Sequence, residues 1–463
     1  MAMFLIRADG NAKIGAGHLM RCLTIGAELA KRGGLAKQGE LARQGEQVRQ
    51  GELVKPEEIL FLCADEMSAD LVRQYGFRVC VLGTDYCNME SELPAWERLL
   101  NEKPELFVSD GLAFGGKNSG EVLEDCDCLI PTDSCGSVIL VDSYYVTDGY
   151  LESLRRFGTV VLLDDMGTKR YPVDAVINYN APADPDTYKL LYERIDVEIE
   201  NSNPAQEESI LAQDNSNPAQ DNSDLKKEDF GGKMNRVKMF IGSRYAPIRE
   251  QFLHRKYEIR EKVQSVLITT GGGDSENIAG KILDRLYDDT LEYHLIVGQF
   301  NPHYRELKQL EDSRDNIMIH SNVTDMAGLM EACDLAITAG GSTIYELAAL
   351  GVPFVCFSYA ENQEALTEYI GSRNIAGFAG AFHKAPEQTL EQMQNLFQVL
   401  VEDESLRRQY FDSERTLIDG QGAVRLAQAL RDLAADAPET PPKTGGMANL
   451  HVEGSEYKLM QVL

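Results

Sequence analysis

Ala339-Gly340-Gly341-Ser342-Thr343-Ile344-Tyr345-Glu346-Leu347 follows an apolar run, Leu335-Ala336-Ile337-Thr338, and leads into a helical pattern. Ile344, Leu347, Ala348 and Leu350 recur at helical spacing until Gly351-Val352-Pro353. The stretch therefore reads as strand, tight glycine turn and helix. Gly340 and Gly341 let a ligand come close to the backbone. Ser342 and Thr343 are expected to cap the helix, whose first N–H groups stay free. Free N–H groups at the positive end of a helix dipole favour an anion. Glu346, one turn further in, is in reach of a ribose hydroxyl pair. An ordinary capped turn of an α/β fold has the same sequence, and the segment alone supports both readings equally.

Working outward, Ser265-Val266-Leu267-Ile268-Thr269-Thr270 runs into Gly271-Gly272-Gly273-Asp274 and then a helix with Ile278, Ile282 and Leu286. This is a second strand, glycine loop and helix, whose backbone is suited to a diphosphate. Strands are expected at Tyr293 to Val297, Ile317 to His320 and Phe354 to Phe357, with helices at Met326 to Cys333 and Gly422 to Leu433. The alternation predicts a parallel sheet.

The chain opens in the same way. Met3 to Asp9 reads as a buried strand. Gly10, Gly15 and Gly17 follow, without the spacing of the dinucleotide fingerprint, and a helix runs from His18 to Lys31. At a helix start the dipole disfavours imidazolium, so a neutral His18 suited to accept a proton is expected. Local sequence alone favours the simpler reading, a solvent-facing helix-start residue. Further strands are expected at Glu58 to Ala64, Phe77 to Leu82, Thr159 to Asp165 and Ala175 to Asn180. Leu106 to Asp110 and Ser137 to Asp142 both look like strands ending in Asp, and their order is open. Tyr144 or Tyr145, just past the second, would line a ligand crevice. Asp164-Asp165 reads as turn contacts at a strand end before it reads as a metal site.

The 463 residues, 43% of them apolar, suffice for two cores. A net charge of −29 excludes non-specific binding to nucleic acid or anionic membranes. Nine scattered cysteines fit reduced thiols of a cytoplasmic protein. No apolar stretch has the length of a membrane span or a signal peptide. The Gln-Gly-Glu hexapeptide repeats, about residues 34–56, and the Asn-Ser-Asn-Pro-Ala-Gln repeats, about 200–235, read as polar insertions. The expected architecture is α/β: residues 1–245 and 246–435 as two Rossmann-like domains facing across a cleft, and 436–463 as linker and tail.

Glycine loops facing one another in two such halves describe the GT-B sugar-nucleotide fold. Ile6 to Asp9, Ile14-Gly15-Ala16-Gly17-His18-Leu19-Met20-Arg21-Cys22, Val141 to Tyr145 and Leu163-Asp164-Asp165 go further. So do Gly242 to Arg249, Gly271 to Asp274, Gly340 to Glu346 and Glu361-Asn362-Gln363. In this order they resemble the UDP-2,4-diacetamido-2,4,6-trideoxy-β-L-altropyranose hydrolases of pseudaminic acid biosynthesis, a route to flagellin glycosylation. The likeness runs from about Met3 to Leu433, outside the two insertions and part of the region around Gly111 to Gly136. It implies His18 as catalytic base. It places Tyr144 and Asn362 near the sugar and Gly271, Gly272, Ser342, Thr343 and Glu346 around UDP, with Asp9, Gly17 and Arg21 as further substrate contacts. Arg249 and Gln363 complete the implied substrate contacts. The implied reaction is hydrolysis of the UDP-sugar with inversion, with no metal and no cofactor.

Two alternatives remain on the sequence. A glycosyltransferase of the same fold would pass the sugar to an acceptor instead of water. A non-catalytic UDP-sugar-binding protein would not need His18. Release of free sugar and UDP without acceptor separates the three.

Overall fold

The computed structural model describes residues 3–11, 15–31, 58–101, 137–192, 197–199, 237–271, 274–298 and 301–437. Gly272, Gly273, the candidate strand at Leu106 to Asp110, both repeat insertions and nearly all of the tail lie outside them.

Two parallel sheets organise the chain. The first holds β1 (Phe4–Ala8), β2 (Ile59–Cys63), β3 (Arg78–Val81), β4 (Val138–Asp142), β5 (Thr159–Leu163), β6 (Ala175–Asn178), β7 (Val197–Ile199) and β8 (Val237–Ile241). Their order is β3-β2-β1-β4-β5-β6-β8-β7. The second holds β9 (Ser265–Thr269), β10 (Glu292–Ile296), β11 (Ile317–His320), β12 (Leu335–Ala339), β13 (Phe354–Ser358) and β14 (Gly377–Ala381), in the order β11-β10-β9-β12-β13-β14. The central strands β1, β2, β4, β9, β12 and β13 are buried along their whole length. That burial is why they read as unbroken apolar runs rather than alternating ones. Of the two candidate strands ending in Asp, Val138–Asp142 pairs with β1 from Phe4↔Val138 to Ala8↔Asp142, and the other lies outside the described residues.

Each sheet reverses its strand order beside its first strand, between β1 and β4 and between β9 and β12. Ligands of open α/β sheets sit in the crevice outside the carboxyl ends at such a point. The segments that follow β1 and β4 carry Gly17, His18 and Tyr144; those that follow β9 and β12 carry Gly271, Gly341 and Ser342. The segment at Met239 to Arg249, read from sequence as a crossing, begins as the strand β8 and turns only at Gly242, where φ is +100°.

The lobes also meet behind the crevice. The last helix, Gly422–Asp436, packs against Gly17–Ala30 of the first lobe. There Arg431 donates to the backbone carbonyls of Glu28, Leu29 and Lys31 at 3.1, 2.9 and 3.3 Å, satisfying acceptors that a helix end leaves open.

Candidate functional site at the facing switch points

The helix Gly17–Ala30 begins with no side-chain cap and no acidic residue in its first turn. Its second residue, His18, is 7% exposed. The ring packs edge-on against Tyr144, with centroids 4.5 Å apart. His18 Nδ1 lies 3.5 Å from Asp142 Oδ1 at the end of β4. The buried Asp142 carboxylate thus faces the imidazole from the end of β4. A carboxylate at Nδ1 favours the tautomer with its proton there and leaves Nε2 as the acceptor.

Arg21, one turn further along the helix, holds this arrangement. Its Nε and NH2 donate to the two oxygens of Asp142, both at 2.5 Å. Its NH1 donates to Asp165 at 2.7 and 3.0 Å and to the Tyr179 hydroxyl at 2.8 Å. Burial works to raise the Asp142 carboxyl, but Arg21 and then His18 outweigh it and hold it below its ordinary value. Asp165 also accepts from the Tyr144 hydroxyl at 3.0 Å. Tyr144 in turn accepts from Asn362 Nδ2 of the second lobe at 3.2 Å. A continuous polar chain thus runs from the second lobe to His18.

On the second lobe the helix Ser342–Leu350 starts at Gly341 with no side-chain cap. This corrects the expectation that Ser342 and Thr343 cap it: both lie inside the helix, whose start has no side-chain cap. Glu346 is engaged by Arg249, whose Nε and NH2 donate to Oε1 at 2.9 and 2.7 Å. Burial raises the Glu346 carboxyl, and Arg249 only partly offsets it. A narrow open recess lies between Arg21 and Tyr179 on one side and Ser342, Tyr345 and Glu346 on the other.

Other expected site residues fall elsewhere. Asp9 is 2% exposed, paired with Arg7 at 2.5 Å and accepting the Ala64 N–H at 2.7 Å. It supports the fold beneath the loop and does not face the crevice. Arg21 spends its guanidinium on Asp142, Asp165 and Tyr179, so it positions other groups instead of meeting a ligand freely. Gln363 Oε1 accepts the Tyr359 N–H at 3.0 Å and shapes the turn after β13. Gly17 and Gly271 are exposed at the crevice ends of their lobes. The diphosphate role expected of the glycine loop after β9 meets an obstacle: Asp274 accepts the N–H groups of Ile278 and Ala279 at 2.7 and 2.9 Å. A carboxylate already occupies that helix start, whereas the helix start at Ser342 carries no side-chain cap. Of the adjacent pair, Asp164 accepts turn N–H groups from Met166 and Gly167, whereas Asp165 joins the Arg21 cluster.

Sequence reasoning missed Asp142, Asp165 and Tyr179 as partners of Arg21. Asp142 and Asp165 each follow an apolar run, which marks them as strand-end carboxylates but not as partners of Arg21.

Two facing parallel-sheet α/β lobes with their switch points opposed make this a GT-B fold. Residues 237–375 match the glycosyltransferase family 28 C-terminal domain. The spore coat polysaccharide biosynthesis protein SpsG of Bacillus subtilis is 27% identical over 189 residues, 40% of this chain and 54% of that protein. The UDP-2,4-diacetamido-2,4,6-trideoxy-beta-L-altropyranose hydrolase of Campylobacter jejuni is 26% identical over 149 residues, 32% of this chain and 54% of that protein. The chain thus spans about half the length of these two curated relatives. Among solved structures, S. aureus MnaA with UDP superposes with a TM-score of 0.50 at 10% identity, covering 95% of this chain and 99% of that one. No helix among the described residues is long and apolar enough to cross a membrane.

Proposed function

We propose that this chain hydrolyses a nucleotide sugar, and specifically UDP-2,4-diacetamido-2,4,6-trideoxy-β-L-altropyranose, to UDP and the free sugar. The observation that carries the proposal is His18: a buried imidazole at an uncapped helix start, with Asp142 at Nδ1 and the second lobe reached through Tyr144. Residues 1–245 hold the sugar and the base; residues 246–435 hold UDP. His18 Nε2 takes a proton from water. The water oxygen bonds to the anomeric carbon as the bond to the diphosphate oxygen breaks, with inversion. Charge grows on the departing diphosphate, and the N–H groups at Ser342 and Thr343 stabilise it. Glu346 engages the ribose hydroxyls. The helix end provides the positive potential, so the reaction is proposed to run without a metal.

The Campylobacter relative supports the hydrolase reading. The family 28 match over 237–375 favours a second one, transfer of the sugar to an acceptor. Purified protein with the UDP-sugar and no acceptor decides between them: free sugar and UDP are expected, at an undiminished rate in excess EDTA. His18→Ala should cut kcat by at least ~100-fold, the scale of general-base catalysis, with little change in KM. Near-normal turnover of that variant would refute the assignment.

A further inference from the structure

The mechanism above uses Ser342, Thr343 and Glu346 of the helix Ser342–Leu350 and leaves Tyr345, beside Glu346, without a role. Tyr345 is 1% exposed, and its side chain reaches from the second lobe to the first. Its hydroxyl accepts the backbone N–H of Ala181, 164 residues away, at 2.9 Å. Its ring meets that of Tyr179 edge-on, with centroids 5.9 Å apart. Burial holds the phenol well above its ordinary value, so the hydroxyl stays uncharged.

The first-lobe side of this contact is Tyr179-Asn180-Ala181, directly after β6. Each of the three is tied to a different group. The Tyr179 hydroxyl accepts from Arg21 NH1 at 2.8 Å. Asn180 Nδ2 donates to the backbone carbonyl of Asp165 at 3.2 Å. Ala181 meets Tyr345. Arg21 in turn holds Asp142, which faces His18. A short run of contacts therefore joins the helix at Ser342 to the base: Tyr345, Tyr179, Arg21, Asp142, His18. Packing of a core aromatic needs only the ring. A buried hydroxyl bonded to an amide of the other lobe also fixes a distance and a direction. Ser342 and Tyr345 are three residues apart on one helix, hence on one face, so holding one holds the other.

We propose that Tyr345 is a positioning residue for the reaction: docked on Ala181 and Tyr179, it fixes the helix that carries Ser342 against the lobe that carries His18. It thereby sets the span between the departing diphosphate and the base. The inference rests on the hydrolase reading above.

The test is Tyr345→Phe, which keeps the ring and removes the hydroxyl. Its kcat should fall roughly ten- to a hundredfold, the scale of a small misplacement of reacting groups. Its affinity for UDP, read by isothermal titration, should stay as in the unaltered chain. Amide exchange in the full chain should be roughly five- to tenfold faster at Ala181, as for one lost hydrogen bond, with Ser342–Leu350 protected as before. If Tyr345→Phe does not fold, Tyr345→Met, which also lacks the hydroxyl and can repack, takes its place with the same expectations. An unchanged kcat in a folded variant overturns the proposal. So does a kcat that falls together with UDP affinity, which would make Tyr345 a local support of the UDP helix. An unaltered chain that releases no free sugar would instead overturn the hydrolase reading; exchange at Ala181 then decides by itself whether Tyr345 docks the lobes, and an unchanged rate there overturns the docking.

Discussion

Asp142→Asn tests the arrangement of the first lobe most directly. Asp142 is 1% exposed and takes two Arg21 hydrogen bonds at 2.5 Å. Removing one partner of a buried ion pair costs ~3–5 kcal/mol when the other is left uncompensated. Arg21 here keeps Asp165 and Tyr179, and Asn still accepts one bond. The expected loss is therefore about 2–3 kcal/mol, which lowers Tm by roughly 4–12 °C for a unit of this size. The loss also has a pH signature. The folded-state Asp142 carboxyl lies below its ordinary value of 3.8, so its stabilisation is fully present above that value. It disappears as pH falls through the folded-state value. Calorimetry or urea unfolding of both proteins should thus give a constant difference between pH 7 and about pH 4, narrowing below it. A difference below about 0.5 kcal/mol at pH 7, or one that widens on acidification, would refute the reasoning.

Gly340→Ala would bring a Cβ to 2.7 Å from Thr367 Cγ2 and 2.9 Å from Gln363 Cβ. Overpacking of this kind costs about 1–3 kcal/mol, and the variant should melt earlier and bind UDP less well, checked by calorimetry and titration. Glu346→Gln should weaken UDP binding by about tenfold, while His18→Ala leaves it unchanged; isothermal titration with UDP reads both. Arg431→Met removes the three carbonyl contacts at the end of Gly17–Ala30 and should cost about 1–2 kcal/mol. Faster amide exchange at residues 28–31 is the expected sign.

Much of the strand pattern was legible because both sheets are buried on two faces and read as apolar runs ended by glycine or Asp. The helices at Pro185–Leu191, Tyr304–Ser313 and Glu404–Glu414 were not, since polar surface residues dilute their period. Of the site, His18, Tyr144 and Asn362 proved to be joined, through Tyr144, in one chain of contacts across the lobes. Asp9 did not join them, because a charged residue at a strand end looks the same whether it faces a ligand or a buried arginine.

The sequence by itself determined the local units: an apolar strand, a glycine turn and an amphipathic helix follow from neighbours a few residues apart. Tertiary structure alone decided which carboxylate meets which cation. Asp142 and Asp165 lie 121 and 144 residues from Arg21, and nothing local distinguishes either from Asp164. Their pairing arises because parallel strands bring distant carboxyl ends side by side, and a buried guanidinium there must find its acceptors among them.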